Sequence, residues 1–286
     1  MADMSFFTVG DRGRYLPTDF AMGLWGPDAL NGPAVCAIAA YAAEKAGSRE
    51  GFAPARFTLE LFKSARRLPM AATTTVLRDG HRIRVVEVSV IQYDDTQKTG
   101  EQEILVARGN VVFLKKSSTN PPGERWERSP EASAFTPPAA TSDNYRPWFR
   151  TDDQEWSQDM TQFQNSGRLS LWSRPFAAVS GEEPTPFQRA VTAAESSSLV
   201  TNIGDGGIGF INCDLTVALA RLPEGVRVGL QTDTHIENDG LSVGTANLYD
   251  EHGPIGVGLV TALDNTRAMI DFSKVRGGTM RAPELS

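Results

Sequence analysis

Histidine and cysteine are scarce in this chain: three of one and two of the other in 286 residues. His81 and His252 lie beside Gly80 and Gly253 in turn-like contexts, and His235 stands among polar strand residues. None has a second ligand at metal-binding spacing, so no metal site is expected. Cys36 and Cys213 also lack metal-like spacing and read as reduced core residues in apolar surroundings. Long hydrophobic runs are missing, and none approaches the roughly 18 residues that span a bilayer. The opening residues, MADMSFFTVGDRGRY, carry early acid and no basic-then-apolar leader, so a cytoplasmic protein is expected. Basic charge is short as well. With 28 Lys and Arg against 35 Asp and Glu, the net charge is -7, which argues against a nucleic-acid binder. Ser196 to Ser198 lack a G-x-S-x-G elbow, which removes the usual serine nucleophile. The Gly204–Gly209 stretch, GDGGIG, follows a helical segment and precedes a strand, the reverse of a dinucleotide loop. No cofactor is expected.

What is present is a repeat. Leu59 begins a run in RFTLELF and Leu215 begins one in CDLTVAL, an offset of about 156 residues. Each run leads to an Arg-Leu-Pro (Arg67 to Pro69, and Arg221 to Pro223, nearly in step), then to a Tyr-Asp pair, Tyr93-Asp94 and Tyr249-Asp250. Each is also preceded by an Ala-rich helical segment, with start signals at Asn31 and Thr185. Two copies of one unit are implied, a helix ahead of several long antiparallel strands. The chain is long enough for both to bury a core.

The first helix is expected over 31–47, with Asn31 as cap, Pro33 in the first turn and Gly47 as stop. It is apolar or alanine nearly all round, so it should be enclosed. Strands are expected near 54–65, 70–79, 81–93 and 103–115. A phase flip between Val85 and Val86 suggests a β-bulge. Residues 117–148 lose apolar periodicity and read as a linker. The expected division is thus 1–116, a linker over 117–150, a second unit over 151–265 and a tail over 266–286. In the second unit a helix runs from Thr185 to about Leu199, and strands follow near 209–220, 226–235, 241–249 and 255–264.

On the second helix Phe187, Ala190, Val191, Ala194, Glu195 and Ser198 form one stripe. Glu195 is the single acid in it. A carboxylate there is costly unless something uses or satisfies it, and burial would raise its pKa toward the range of a general base. The alternative is a helix end already in solvent, or an amide that satisfies the acid. The first helix has Ala39, Ala40 and Tyr41 in the corresponding stretch and no matching acid.

The chain resembles the double hotdog of the acyl-CoA thioesterase II type. In the first half the resemblance lies in YLPTDFAMGLWGPDALNGPAV and in VLRDGHRIRVVEVSVIQYDD, where the strand runs to Gln92. In the second it lies in GEEPTPFQRAVTAAESSS, FINCDLTVALARLP and LYDEHGPIGVG. The resemblance implies an α+β fold of two fused hotdog units, each a curved antiparallel sheet wrapped around a central helix. It implies hydrolysis of acyl-CoA or a related acyl thioester, such as an acyl-carrier thioester, by an activated water, and possible pairing as a homodimer. The family pattern of Asp, Thr and Gln falls on Glu195, Asn212 and Thr261, or on Val260 with a one-residue shift. All three depart from it. Glu195 would deprotonate the water, Asn212 and Thr261 would orient it, and the helix start at Asn31 and Gly32 would polarise the carbonyl. The alternative is a non-hydrolytic acyl-thioester-binding protein with an eroded site. The short basic clusters Lys63 to Arg67 and His81 to Arg84 read as solvated strand ends, or as contacts for a phosphorylated carrier.

Overall fold

The computed structural model describes residues 4–96, 100–126, 134–139 and 144–274. The first half contains β1 (Ser5–Val9), β2 (Tyr15–Pro17), helix α1 (Gly32–Gly47), β3 (Phe52–Leu61), β4 (Met70–Asp79), β5 (Ile83–Asp94) and β6 (Gln102–Lys115). The second half opens with β7 (Trp148–Thr151), β8 (Gln154–Ser157), β9 (Ser170–Ser173) and β10 (Ala177–Val179). Helices α2 (Pro186–Ala194) and α3 (Ser197–Asn202) follow. The chain then forms the small pair β11 (Ile203–Gly204) and β12 (Gly207–Ile208), then β13 (Phe210–Asn212), β14 (Asp214–Leu219), β15 (Val228–Asn238), β16 (Leu241–Asp250) and β17 (Gly253–Asp264).

All strands but the small pair join one sheet, whose halves meet where β3 runs antiparallel to β14. The register at that seam sets Leu59 opposite Leu215, the two residues that open the sequence repeat. Like therefore pairs with like across the middle of the molecule. This is the expected α+β architecture: each half curves its sheet around its own helix segment, and α1 and α2 pack against one another. Helix α1 is capped as expected, the Asn31 side chain accepting from the Ala34 amide at 2.8 Å. Its residues from Ala34 to Tyr41 are all buried, in keeping with its lack of a polar face.

The register break expected at Val85 and Val86 is present, but the extra residue lies across the ladder. Val76 pairs with Val86 and Arg78 with Val85, leaving Leu77 on β4 as the bulge. Two elements were not expected. β1 and β2 precede the first helix, and β1 runs parallel to β10 of the second half, tying the N-terminus across the molecule. β7 begins inside the span read as a linker.

The second helix is not continuous. The Ser196 amide donates to the Ala193 carbonyl at 2.9 Å and the Ser198 amide to the Glu195 carbonyl at 3.1 Å. These are tight i→i−3 bonds that separate α2 from α3. Three consecutive serines after an Ala-rich turn supply the weak point. The break puts Glu195 at a corner between two helices. Past the corner, Asp250 ties the loops of the second half together. It accepts both Arg221 guanidinium nitrogens, at 2.5 and 2.6 Å, and the amides of Glu224 and His252. These contacts, Arg221 first, outweigh desolvation and hold its pKa down at about 2. No helix among the described residues is long and apolar enough to cross a membrane.

Candidate active site

The break at Glu195 turns its carboxylate toward the start of α1. Glu195 is only 7% exposed. An added Cβ on Gly32 would fall on the Glu195 carboxylate, nearest Oε1, so glycine is the one residue that lets the acid approach this helix so closely. Asn31 fixes the helix start from the other side, donating to the carbonyls of Phe20 at 2.8 Å and Met22 at 3.2 Å. As the first residue of α1, Gly32 has no intrahelical acceptor for its amide, and none is found among the described residues. A free donor at the positive end of a helix thus lies beside the acid.

Asn212 reaches Glu195 from the sheet, its Nδ2 donating to Oε1 at 3.3 Å and to the Asp214 carbonyl at 3.3 Å. An irregularity at Cys213 makes this possible. The Cys213 amide donates to the Thr261 carbonyl at 2.9 Å, and the Thr261 amide to the Asp214 carboxylate at 2.5 Å. One extra residue between β13 and β14 changes the strand phase, so Asn212 and Leu215 both face the helices. Cys213 is pushed outward and is exposed, contrary to the expectation of a core residue, whereas Cys36 is buried as expected.

Burial is the main influence on Glu195 and raises its pKa from 4.5 to about 8, with the Asn212 hydrogen bond acting the other way. Burial, and then the nearby Glu195, push the Cys36 thiol well above its usual pKa. That leaves the Cys36 sulfur as a neutral packing group.

The acid opens onto a cavity of about 280 Å³ lined by Glu195, Asn212, Asn31 and Gly32. Its wall is rich in rings. Phe176 meets Phe6 at 5.4 Å, Phe20 at 5.1 Å and Tyr145 at 5.2 Å between centroids, and all four line the space. The structure therefore brings together Glu195, Asn212, Asn31 and Gly32. Thr261 it does not: Val260 and Ala262 on either side are buried, alternation turns Thr261 to the opposite face, and it does not line the cavity. Val260, the shifted alternative, is packed in the core and does not line it either. The polar groups lining the cavity on Glu195's own chain segment are instead Thr192, Ser196 and Ser198. The spacing of Thr192 and Ser198, one turn either way from Glu195, was the available signal for those two; Ser196 directly follows the acid. Ile270 and Phe272 also line the cavity, so part of the expected tail builds the site; residues 275–286 of that tail lie outside the described residues.

A counterpart exists at the start of α2. Glu44 of α1 accepts from Thr185 Oγ1 at 2.6 Å and Gln188 Nε2 at 2.9 Å. The first helix therefore does carry an acid facing the other helix start, one turn beyond the Ala39 to Tyr41 stretch. Its contacts are internal, and it does not line the cavity. Gln92 is structural too: its amide accepts from the Arg66 N–H at 2.9 Å and donates to the Arg66 carbonyl at 2.5 Å.

Comparison with solved structures defines the class first. The tesB protein of Mycobacterium avium subsp. paratuberculosis is 16% identical with a TM-score of 0.56, over 88% of this chain and 92% of that one. The acyl-CoA thioesterase II TesB2 of Mycobacterium marinum is 11% identical with a TM-score of 0.59, over 92% and 95%. A conserved protein of unknown function with a hot dog fold from Alicyclobacillus acidocaldarius is 12% identical with a TM-score of 0.60, over 92% and 96%. At such identities these matches show the fold, a double hotdog. The sequence itself matches the acyl-CoA thioesterase N-terminal domain over residues 22–114 and the acyl-CoA thioesterase C-terminal domain over residues 115–259, and the chain belongs to that family. No curated protein matches it.

Proposed function

We propose that the protein hydrolyses acyl-CoA or a related acyl thioester with a water activated by Glu195. The observation that carries this reading is the meeting of one buried, proton-hungry carboxylate with an unpaired helix-start amide and Asn212 at the wall of an apolar cavity. The thioester carbonyl oxygen points to the Gly32 amide, where the helix start stabilises the charge that develops on it. Glu195 takes a proton from water as the water oxygen bonds to the carbonyl carbon. The tetrahedral intermediate collapses, the carbon–sulfur bond breaks, and the proton held by Glu195 passes to the departing thiolate. The products are a carboxylic acid and a free thiol. Asn212 occupies Oε1 and leaves Oε2 for the water. With Thr261 turned away, the hydroxyls of Thr192, Ser196 and Ser198 take over the task of holding that water.

The absence of Val260 and Thr261 from the cavity favours a second reading, an acyl-thioester binder without turnover. A steady-state assay of thiol release across a series of acyl-CoAs separates the two. Saturable release for some chain lengths is the expected result. Binding with no thiol release for any of them would establish the binder.

A further inference from the structure

Only three charged side chains among the described residues line the cavity: Glu195, Arg146 and Arg174. Glu195 is buried against α1, whereas Arg146 is exposed and Arg174 half-buried. One ring lies next to both arginines, in contact with Arg174 and adjacent in sequence to Arg146. Arg174 lies over Tyr145, 4.5 Å from the ring centroid. Tyr145 stacks on Phe176 and is followed directly by Arg146. The backbone here is fastened at several points. Gln158 Nε2 donates to Asn144 Oδ1 at 3.2 Å and to the Arg146 carbonyl at 3.1 Å, and the Arg227 guanidinium to the Asn144 carbonyl at 2.8 Å.

Two arginines on the lining of one apolar space, one with its guanidinium seated on a ring and the other on a fastened stretch of backbone, suit a ligand with an apolar body and an anionic end. Planar guanidinium groups match the paired oxygens of phosphate or carboxylate. The chain as a whole carries a net charge of -7, so its overall field repels a polyanion and the attraction must be local. We propose that Arg146 and Arg174 form the anion-binding rim of the site and receive a charged oxygen group of the substrate. This rests on the acyl-thioester reading above. The group is a phosphate of the thiol's head group or a carboxylate on the far end of the acyl chain, and the experiment tells them apart.

Isothermal titration of CoA itself needs no turnover and reads the rim directly. Arg146→Gln and Arg174→Gln should each weaken CoA binding about tenfold, the loss typical of a charge-assisted contact. Wild-type affinity should fall as salt rises, and the double variant should lose that dependence. Arg146 is exposed, so its variant is expected to melt with the wild type. A second arm titrates acyl N-acetylcysteamine thioesters, with and without a terminal carboxylate, into the Glu195→Gln background. Weakening confined to the carboxylated thioester would assign the rim to the acyl end. Unchanged affinity for all three ligands, or no binding of any of them by the wild type, would overturn the rim. Arginine-dependent CoA binding by a protein that hydrolyses no thioester would instead leave the rim standing and remove the hydrolase reading.

Discussion

Glu195→Gln is expected to lower kcat for thioester hydrolysis about a thousandfold, the middle of the range for loss of a general base, while the affinity for substrate stays within a factor of a few. The amide keeps the shape and the contact with Asn212 but cannot accept the proton of the attacking water. The same substitution should stabilise the fold. A carboxyl whose folded pKa is raised from 4.5 to about 8 imposes no ionisation penalty below about pH 4.5. Between those values the unfolded chain ionises and the folded one does not, so folding becomes less favourable, reaching on the order of 3 kcal/mol at pH 7. Glutamine escapes that term. The variant should therefore melt higher than the wild type at pH 7 to 8 and differ little at pH 4. A variant that is inactive because it is unfolded would show the opposite melting order, so the two explanations separate in one calorimetry series. Retention of wild-type kcat would clear Glu195 of the base role.

Gly32→Ala should be nearly as damaging from the other side of the site. The added methyl occupies the place of the Glu195 carboxylate, so either the acid or the start of α1 must move. A displacement of about 1 Å between reacting groups costs on the order of a hundredfold in rate, and the forced repacking costs roughly 1–3 kcal/mol of stability. Because the acid survives, the shape of the pH profile should persist while its height falls. Gly32→Ala with wild-type kcat/KM would mean that the carboxylate and the helix start do not act together.

The fold could be read from the sequence because its strongest signals are periodic. The offset between Leu59 and Leu215 foretold two copies, and those residues face each other at the central seam. The enclosed character of α1 followed from its lack of any polar face. Glu195 stood out as the single acid on an apolar stripe; the structure buries it, and the Asn212 amide donates to it, as one of the two expected alternatives had it. What was hidden depended on single-residue irregularities. The break at Ser196 depends on local bonding that a helical stripe does not reveal. The extra residue at Cys213 moves that thiol outward and Asn212 inward, and strand periodicity alone cannot place such a shift. Thr261 was carried over by resemblance, one position away from the inward phase of β17. The ring wall was also out of reach: Phe6, Phe20, Tyr145 and Phe176 come from four separate stretches of chain, brought together partly by the pairing of β1 with β10.

The pH dependence of kcat/KM for an acyl-CoA, followed between pH 5.5 and 9.5 in wild type and Glu195→Gln, bears most directly on the claim that a buried Glu195 activates water. Only the ionised carboxylate accepts the proton, so the wild-type rate should climb with pH and level off above an apparent pKa of about 8. The residual rate of Glu195→Gln should lack that inflection. A wild-type rate that is flat across this range, or an inflection that survives in Glu195→Gln, would contradict the account.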